Sequence, residues 1–303
     1  MSKIAKKAEQ AVKKDSKNKK VKKVTAKHQS SWAILKKSIK IIKSNFKLIG
    51  GISAVYAVLL YIFVFSGAGL DIANAKQYIS EALGNDVDNV SSSFTIFGYL
   101  LDNTAISKNP ALPIYQTVLG IIFSLAYIWS LREVYEGNTK ARIRDALYNS
   151  TDQLVPFIMI MFIVGLQFIP AAIASSIYNS TILQGLVTSG IELTVIISII
   201  LVLLFLSLYL LVPSVAAIYI VTLSGATPLQ SYRTAKKLVK GYRFEIIRKM
   251  LLLGFFVIFV TAILVVPLIA FIPVLAEITF LFASVTGLVL AHTYFYQVYR
   301  DLI

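Results

Sequence analysis

Apolar residues in this chain fall into long blocks, without the strict alternation of half-buried strands. A helix needs about 20 apolar residues to cross a hydrocarbon core of about 30 Å. The blocks predict six such helices, at about 48–67, 111–131, 154–177, 198–223, 250–266 and 278–298. The fourth lies within an uncharged run that reaches back almost to Glu192 and would measure about 50 Å as one straight helix. It is therefore expected either to start near Ser198 and tilt, or to kink at Pro213. Pro267 and Pro273 are placed in a tight link between the fifth and sixth spans. The prediction is an all-α, polytopic membrane bundle whose six helices pair as three hairpins.

A second period appears just before the odd-numbered spans. Trp32, Leu35, Ile39, Ile42, Phe46 and Ile49 recur at three- and four-residue steps, with Lys36, Lys37, Lys40, Lys43 and Lys47 on the remaining positions. This is the pattern of a basic amphipathic helix lying in the membrane interface. Thr227 and Pro228 read as N-cap and first helical residue of a similar helix, where Leu229, Tyr232, Leu238, Val239 and Tyr242 alternate with Arg233, Lys236, Lys237, Lys240 and Arg243. A weaker copy follows the second span: Gly137 ends that span, Thr139 is read as the cap, and Ala141 to Tyr148 forms the helix. Each odd-numbered span is thus expected to be preceded by a short cytoplasmic amphipathic helix. Residues 1–29 are Lys-rich with almost nothing to bury and read as a disordered tail. They precede a membrane domain covering 30–303.

Composition reinforces the pattern. Hydrophobic residues make up 57% of the chain and charged residues 15%, whereas soluble domains carry about 25% charged. Thirty Lys and Arg face 15 acids, a net charge of +15. Of those thirty, 28 fall before the first span, after the even-numbered spans, or at the C-terminus. The positive-inside rule makes that side cytoplasmic and puts both termini there. The first 30 residues lack the apolar core of a signal peptide, so the first span is expected to serve as an uncleaved start-transfer segment. With no cysteine, disulfides and thiolate metal sites are excluded.

Candidate chemistry is sparse. Ionisable groups inside a membrane are costly and usually functional, yet the spans hold no Asp, Glu, Lys or Arg, and the candidates singled out are the amide of Gln167 and the imidazole of His292. His292 stands near Tyr294, Tyr296 and Tyr299, where a neutral ring within an interfacial aromatic belt is the simpler reading. No hydrolase, phosphate-loop or metal motif occurs, and no catalytic residue, cofactor or metal is assigned. In the 70–110 segment, Asp86-Val87-Asp88 lacks the further ligands of a calcium loop and reads as a polar turn. Ala283, Gly287 and Ala291, spaced by four, mark a face for close helix packing, with Val289 on another face.

The stretch from about Leu208 to Phe256 carries a resemblance. A span ending in LVPSVAAIYIV is followed by a Pro-Leu-led helix and a Lys-Gly-x-Arg element, with Pro213, Pro228, Ala235, Lys240, Gly241 and Arg243 on the matching positions. This is similar to a six-helix bacterial superfamily that includes the membrane domain of glycerophosphoryl diester phosphodiesterases and related uncharacterised membrane families. Ser214 stands where glycine is usual, and Tyr242 and Phe244 replace the tryptophan often seen after Lys-Gly. The catalytic barrel of the fused enzymes is absent, so the resemblance implies a non-catalytic membrane domain.

These readings converge on a non-enzymatic multi-pass protein of the cytoplasmic membrane, accessory in envelope or lipid homeostasis. The alternative is a permease or channel-like component for a small or amphiphilic solute. The expected partners are membrane lipids with anionic headgroups, and a second copy or another membrane protein, with no specific nucleic acid. Candidate headgroup contacts are Lys36, Lys37, Lys40, Lys43 and Lys47 in one cluster and Arg233, Lys236, Lys237, Lys240 and Arg243 in another. Each basic residue near an anionic leaflet contributes about 1 kcal/mol before screening.

Overall fold

The computed structural model describes residues 29–65, 111–138, 141–183, 189–223 and 226–303. Among the described residues there are ten α-helices and no strands. In chain order they are α1 (Ser31–Ser44), α2 (Phe46–Phe63), α3 (Ala111–Glu136), α4 (Ile143–Ser150), α5 (Leu154–Gln167), α6 (Ile169–Ile177), α7 (Gly190–Val221), α8 (Pro228–Leu238), α9 (Arg243–Phe271) and α10 (Pro273–Leu302). A 3₁₀ turn at Thr151–Gln153 and a π turn at Tyr178–Leu183 flank α5 and α6. Residues 1–28, with the basic tail, and 66–110, with the acidic pair and the outer segment, lie outside the described residues.

Among the described residues, six helical stretches are long and apolar enough to cross a bilayer: Phe46–Phe63, Ile114–Glu136, Ile143–Thr181, Gly190–Val221, Arg243–Ile269 and Leu275–Leu302. The most apolar of them, α7, has only 17% of its richest stretch buried within the protein. Residues Ile191, Val195, Ile199, Leu201, Val202 and Phe205 of that helix are all exposed. An apolar surface of that extent is unsustainable in water, and it is what hydrocarbon requires of a span. The chain is a multi-pass membrane protein.

Several boundaries differ from the sequence reading, each for a local reason. The fourth span starts at Gly190, well before Ser198, because Ser189 caps it: its hydroxyl accepts the Glu192 backbone N–H at 3.2 Å. Pro213 lies inside α7 without ending it. The fifth span begins at Arg243, and Pro267 belongs to α9, leaving Ile272 alone between α9 and α10. The third span breaks at Phe168, where Pro170 in the first turn of α6 cannot donate to the preceding turn. The helix before it begins at Ile143 with Arg142 at its N-cap, and the Asp145 carboxylate accepts the Arg142 N–H at 3.3 Å; Thr139, read as the cap, lies outside the described residues.

Gly137 ends the second span as expected. It adopts φ +79°, its N–H reaches Val134 O at 3.3 Å and Asn138 N–H reaches Glu133 O at 3.0 Å. That pair of bonds is a Schellman closure, which favours glycine at the left-handed position.

The helix before the first span breaks at Asn45, whose Nδ2 donates to Ile41 O at 3.0 Å, so the apolar stripe does not run continuously to Ile49. The buried residues of α1 are Ser31, Ile34, Leu35 and Ser38, while Trp32 and Phe46 are exposed. The helix packs on α9 and α10, with Trp32 edge-on to Phe256 at 6.2 Å.

Inside the bundle, association in hydrocarbon gains from close packing and hydrogen bonds rather than from expelling water. Tyr56 meets Phe123 at 4.7 Å and Tyr127 donates to Ser53 Oγ at 3.0 Å, joining α2 to α3. Ser38, Ser53, Ser130, Ser284 and Thr293 each return their hydroxyl to the carbonyl four residues back, which satisfies a donor where no water is available.

The start of α9 meets α7 at its middle. Phe244 stacks on Phe205, Arg243 lies over Tyr209, and Ile246 shares a small apolar void with Val212 and Ala216. These contacts join the first turn of α9 to the stretch of α7 from Phe205 to Ala216.

Candidate headgroup site

A basic surface lies beside this contact. Helix α8 starts at Pro228 behind Thr227, as the sequence predicts, and is held down by buried Ser231 and Ala235. Tyr232 accepts a hydrogen bond from Gln167 Nε2 at 3.2 Å, and Ser214 donates to Gln167 Oε1 at 2.7 Å. Ser207 donates to the Gln167 carbonyl at 2.7 Å, beside the break between α5 and α6. One amide thereby ties α8 to α5 and α7. Gln167 belongs to this anchor and does not line the groove described next.

Beyond Leu238 the chain closes a turn in which Tyr242 N–H reaches Val239 O at 3.1 Å. Gly241 occupies it at φ +94°, in the left-handed region that side chains rarely adopt. The turn delivers Arg243 to the first residue of α9 and puts two helices of basic residues around one groove. Tyr209, Arg233, Lys236, Lys237, Lys240, Gly241, Arg243 and Phe244 line a cavity of about 770 Å³. All five residues of the second predicted cluster are in it.

On α8, Arg233, Lys236 and Lys237 stand at steps of three and four, so they share one face, and Lys240 follows in the turn beyond Leu238. No carboxylate lines the groove. The acid next in sequence, Glu245, is bound to Lys249 at 2.8 Å, and that lysine is buried. The like-charge pairs Arg233–Lys236 and Arg233–Lys237 each disfavour α8 by about 0.2–0.5 kcal/mol. An anion in the groove would relieve them. The Arg243 guanidinium lies over the Tyr209 ring, 4.4 Å from its centroid, a cation–π contact that a guanidinium can combine with bonds from its edge.

The other predicted groups are elsewhere. Lys36, Lys37, Lys40, Lys43 and Lys47 stand exposed on α1 and the start of α2, and none of them lines the groove. Gly287 faces α9, where a Cβ would meet Val257 Cγ1 at 3.3 Å; Ala283 and Ala291 are half-buried on the same helix. Val289, expected on an uninvolved face, is a core residue at 4% exposure. His292 sits between the rings of Tyr127 and Tyr219, at 6.3 and 6.4 Å, and its carbonyl accepts the Tyr219 hydroxyl at 3.2 Å.

Two residues of these arrangements escaped the sequence reading. Tyr209 reads as an ordinary apolar position, because only the contact of α7 with α9 brings it to the basic helix; Phe244, noted as a departure from the resembled pattern, joins it there. Arg132 counted merely as a topological charge. It donates to Thr222 O at 2.6 Å, to Tyr219 O at 3.2 Å and to the Thr222 hydroxyl, which neutralises the open carbonyls at the end of α7. A cation placed to meet a helix C-terminus was the available signal, but its partner is 90 residues away.

No family model matches the chain, and no curated protein or solved structure matches it either.

Proposed function

We propose that this is a non-enzymatic protein of the cytoplasmic membrane that holds anionic lipid headgroups at its inner surface, in an accessory role in envelope or lipid homeostasis. The basic ends of the spans face the cytoplasm in this reading, with short basic helices leading into the odd-numbered spans and the spans paired as hairpins. The observation that carries it is the convergence of five cations and two aromatic rings on one groove with no acid in its lining.

The length of α7 supports a headgroup level for that groove. From Gly190 to Tyr209 the helix rises about 29 Å, close to one hydrocarbon thickness. Tyr209 and the cations beside it then fall at the membrane boundary, where aromatic and basic residues are favoured. Phe205 and Phe244, both exposed, continue the same wall toward the hydrocarbon side.

The test is native mass spectrometry of the full chain released from nanodiscs of phosphatidylcholine doped with phosphatidylglycerol. The parent should retain phosphatidylglycerol, and the quadruple variant Lys236→Gln, Lys237→Gln, Lys240→Gln, Arg243→Gln should lose most of it while inserting in the same orientation. Equal retention by parent and variant would reduce the cluster to a signal for insertion.

A further inference from the structure

We infer that the groove selects a lipid carrying two phosphates over one carrying a single phosphate; this rests on the headgroup reading above. Charge and length both point that way. Five cations line the site with no acid among them, so one monoanionic headgroup would leave four charges unmatched. From Arg233 to Lys237 the basic face of α8 rises about 6 Å, and Lys240 and Arg243 continue the row on either side of Gly241, in and just after the turn beyond Leu238. A single phosphate makes charge-assisted contacts at about 2.8 Å and cannot reach both ends of such a row.

The arrangement of residue types is also uneven. The two arginines stand at the ends of the row, with three lysines between them. A guanidinium offers a planar fork that grips one phosphate through two parallel bonds, whereas an ammonium is a mobile point charge. Two forks separated by lysines match two phosphates joined by a short polar bridge. Exposed Phe205 and Phe244, stacked at 6.3 Å, provide an apolar wall for chains attached to that headgroup. A soluble diphosphate shares the anion chemistry but has nothing to place on that wall.

The experiment compares the full chain in nanodiscs containing phosphatidylglycerol or cardiolipin at equal phosphate, read by native mass spectrometry, with methylene diphosphonate as the soluble competitor. Cardiolipin should be retained over phosphatidylglycerol by on the order of tenfold. Arg233→Lys and Arg243→Lys keep the charge and lose the fork, so each should lower cardiolipin retention by more than phosphatidylglycerol retention and collapse that preference. Equal retention of the two lipids by the parent would overturn the two-phosphate inference and leave the anionic-lipid reading standing. Retention of neither above phosphatidylcholine would overturn both. Displacement of cardiolipin by an equal concentration of the soluble diphosphonate would reassign the groove to a soluble anion. A preference that survives both arginine-to-lysine changes would remove the fork argument and the inference with it.

Discussion

At the scale of single residues, backbone conformation and hydrogen bonding decide more than charge. Gly241 is the test case. A Cβ there would meet nothing within 4 Å, so Gly241→Ala probes backbone strain with no steric clash. An L-residue forced to φ +94° costs about 1–2 kcal/mol. Gly120, in the helical conformation of α3 with equally open space, is the control, and alanine there should be neutral or slightly stabilising. Thermal unfolding in detergent should therefore separate the two variants, with only Gly241→Ala lowering the midpoint. A fall of equal size in Gly120→Ala would show that the turn carries no special strain. The sharp turn was legible in the sequence, as was Gly137, because each glycine closes a run of helix formers. The partnership of Gln167 with Ser214 was not legible. Ser214, which departs from the resembled pattern, donates its hydroxyl to Gln167, the one amide side chain of α5. A contact between residues 47 positions apart leaves no periodic trace.

At the scale of helices, apolar runs predicted existence well and ends poorly. Hydropathy senses where lipid stops, whereas a helix ends where its backbone groups find other partners. Ser189 and Glu192 form a Ser-x-x-Glu start that pushes α7 outward, and Arg243 opens α9 a full two turns before the apolar run begins. The small-residue face of α10 was legible from spacing, but its bystander was misjudged. Val289 is buried, since the core wraps more than one face of the helix. Packing against α9 is therefore tested with a different control. Gly287→Leu drives a branched side chain into Val257, which is already within 3.3 Å of where a Cβ would sit. Overpacking of that kind costs about 1–3 kcal/mol. Phe282→Leu, at an exposed position on the same helix, should leave the melting midpoint nearly unchanged. Similar losses from both substitutions would remove the case for a close α9–α10 contact at Gly287.

At the scale of the whole molecule, charge counting and helix length must agree on one placement in the bilayer. The lipid-facing part of α7 runs from Ile191 to Leu206, and the rest of the helix, from Leu211 on, turns largely into the protein. Its full 32 residues, about 48 Å, need not fit within the hydrocarbon, because the last turns are covered by α8 and capped by Arg132. This placement leaves the Tyr178–Leu183 turn at the opposite boundary from α8. Single cysteines read the sidedness, since the chain has none of its own. Ser231, an obvious choice from sequence, is unsuitable: it is buried, so its silence toward a reagent would carry no information about side. Thr234, exposed on the same helix, replaces it, and Ser180, exposed within the π turn, reports the other face. In intact cells a membrane-impermeant maleimide should label Ser180→Cys, and should label Thr234→Cys only after lysis. Labelling of Thr234→Cys in intact cells would invert the orientation. It would also move the basic groove away from the anionic leaflet, and with it the reason for its charge.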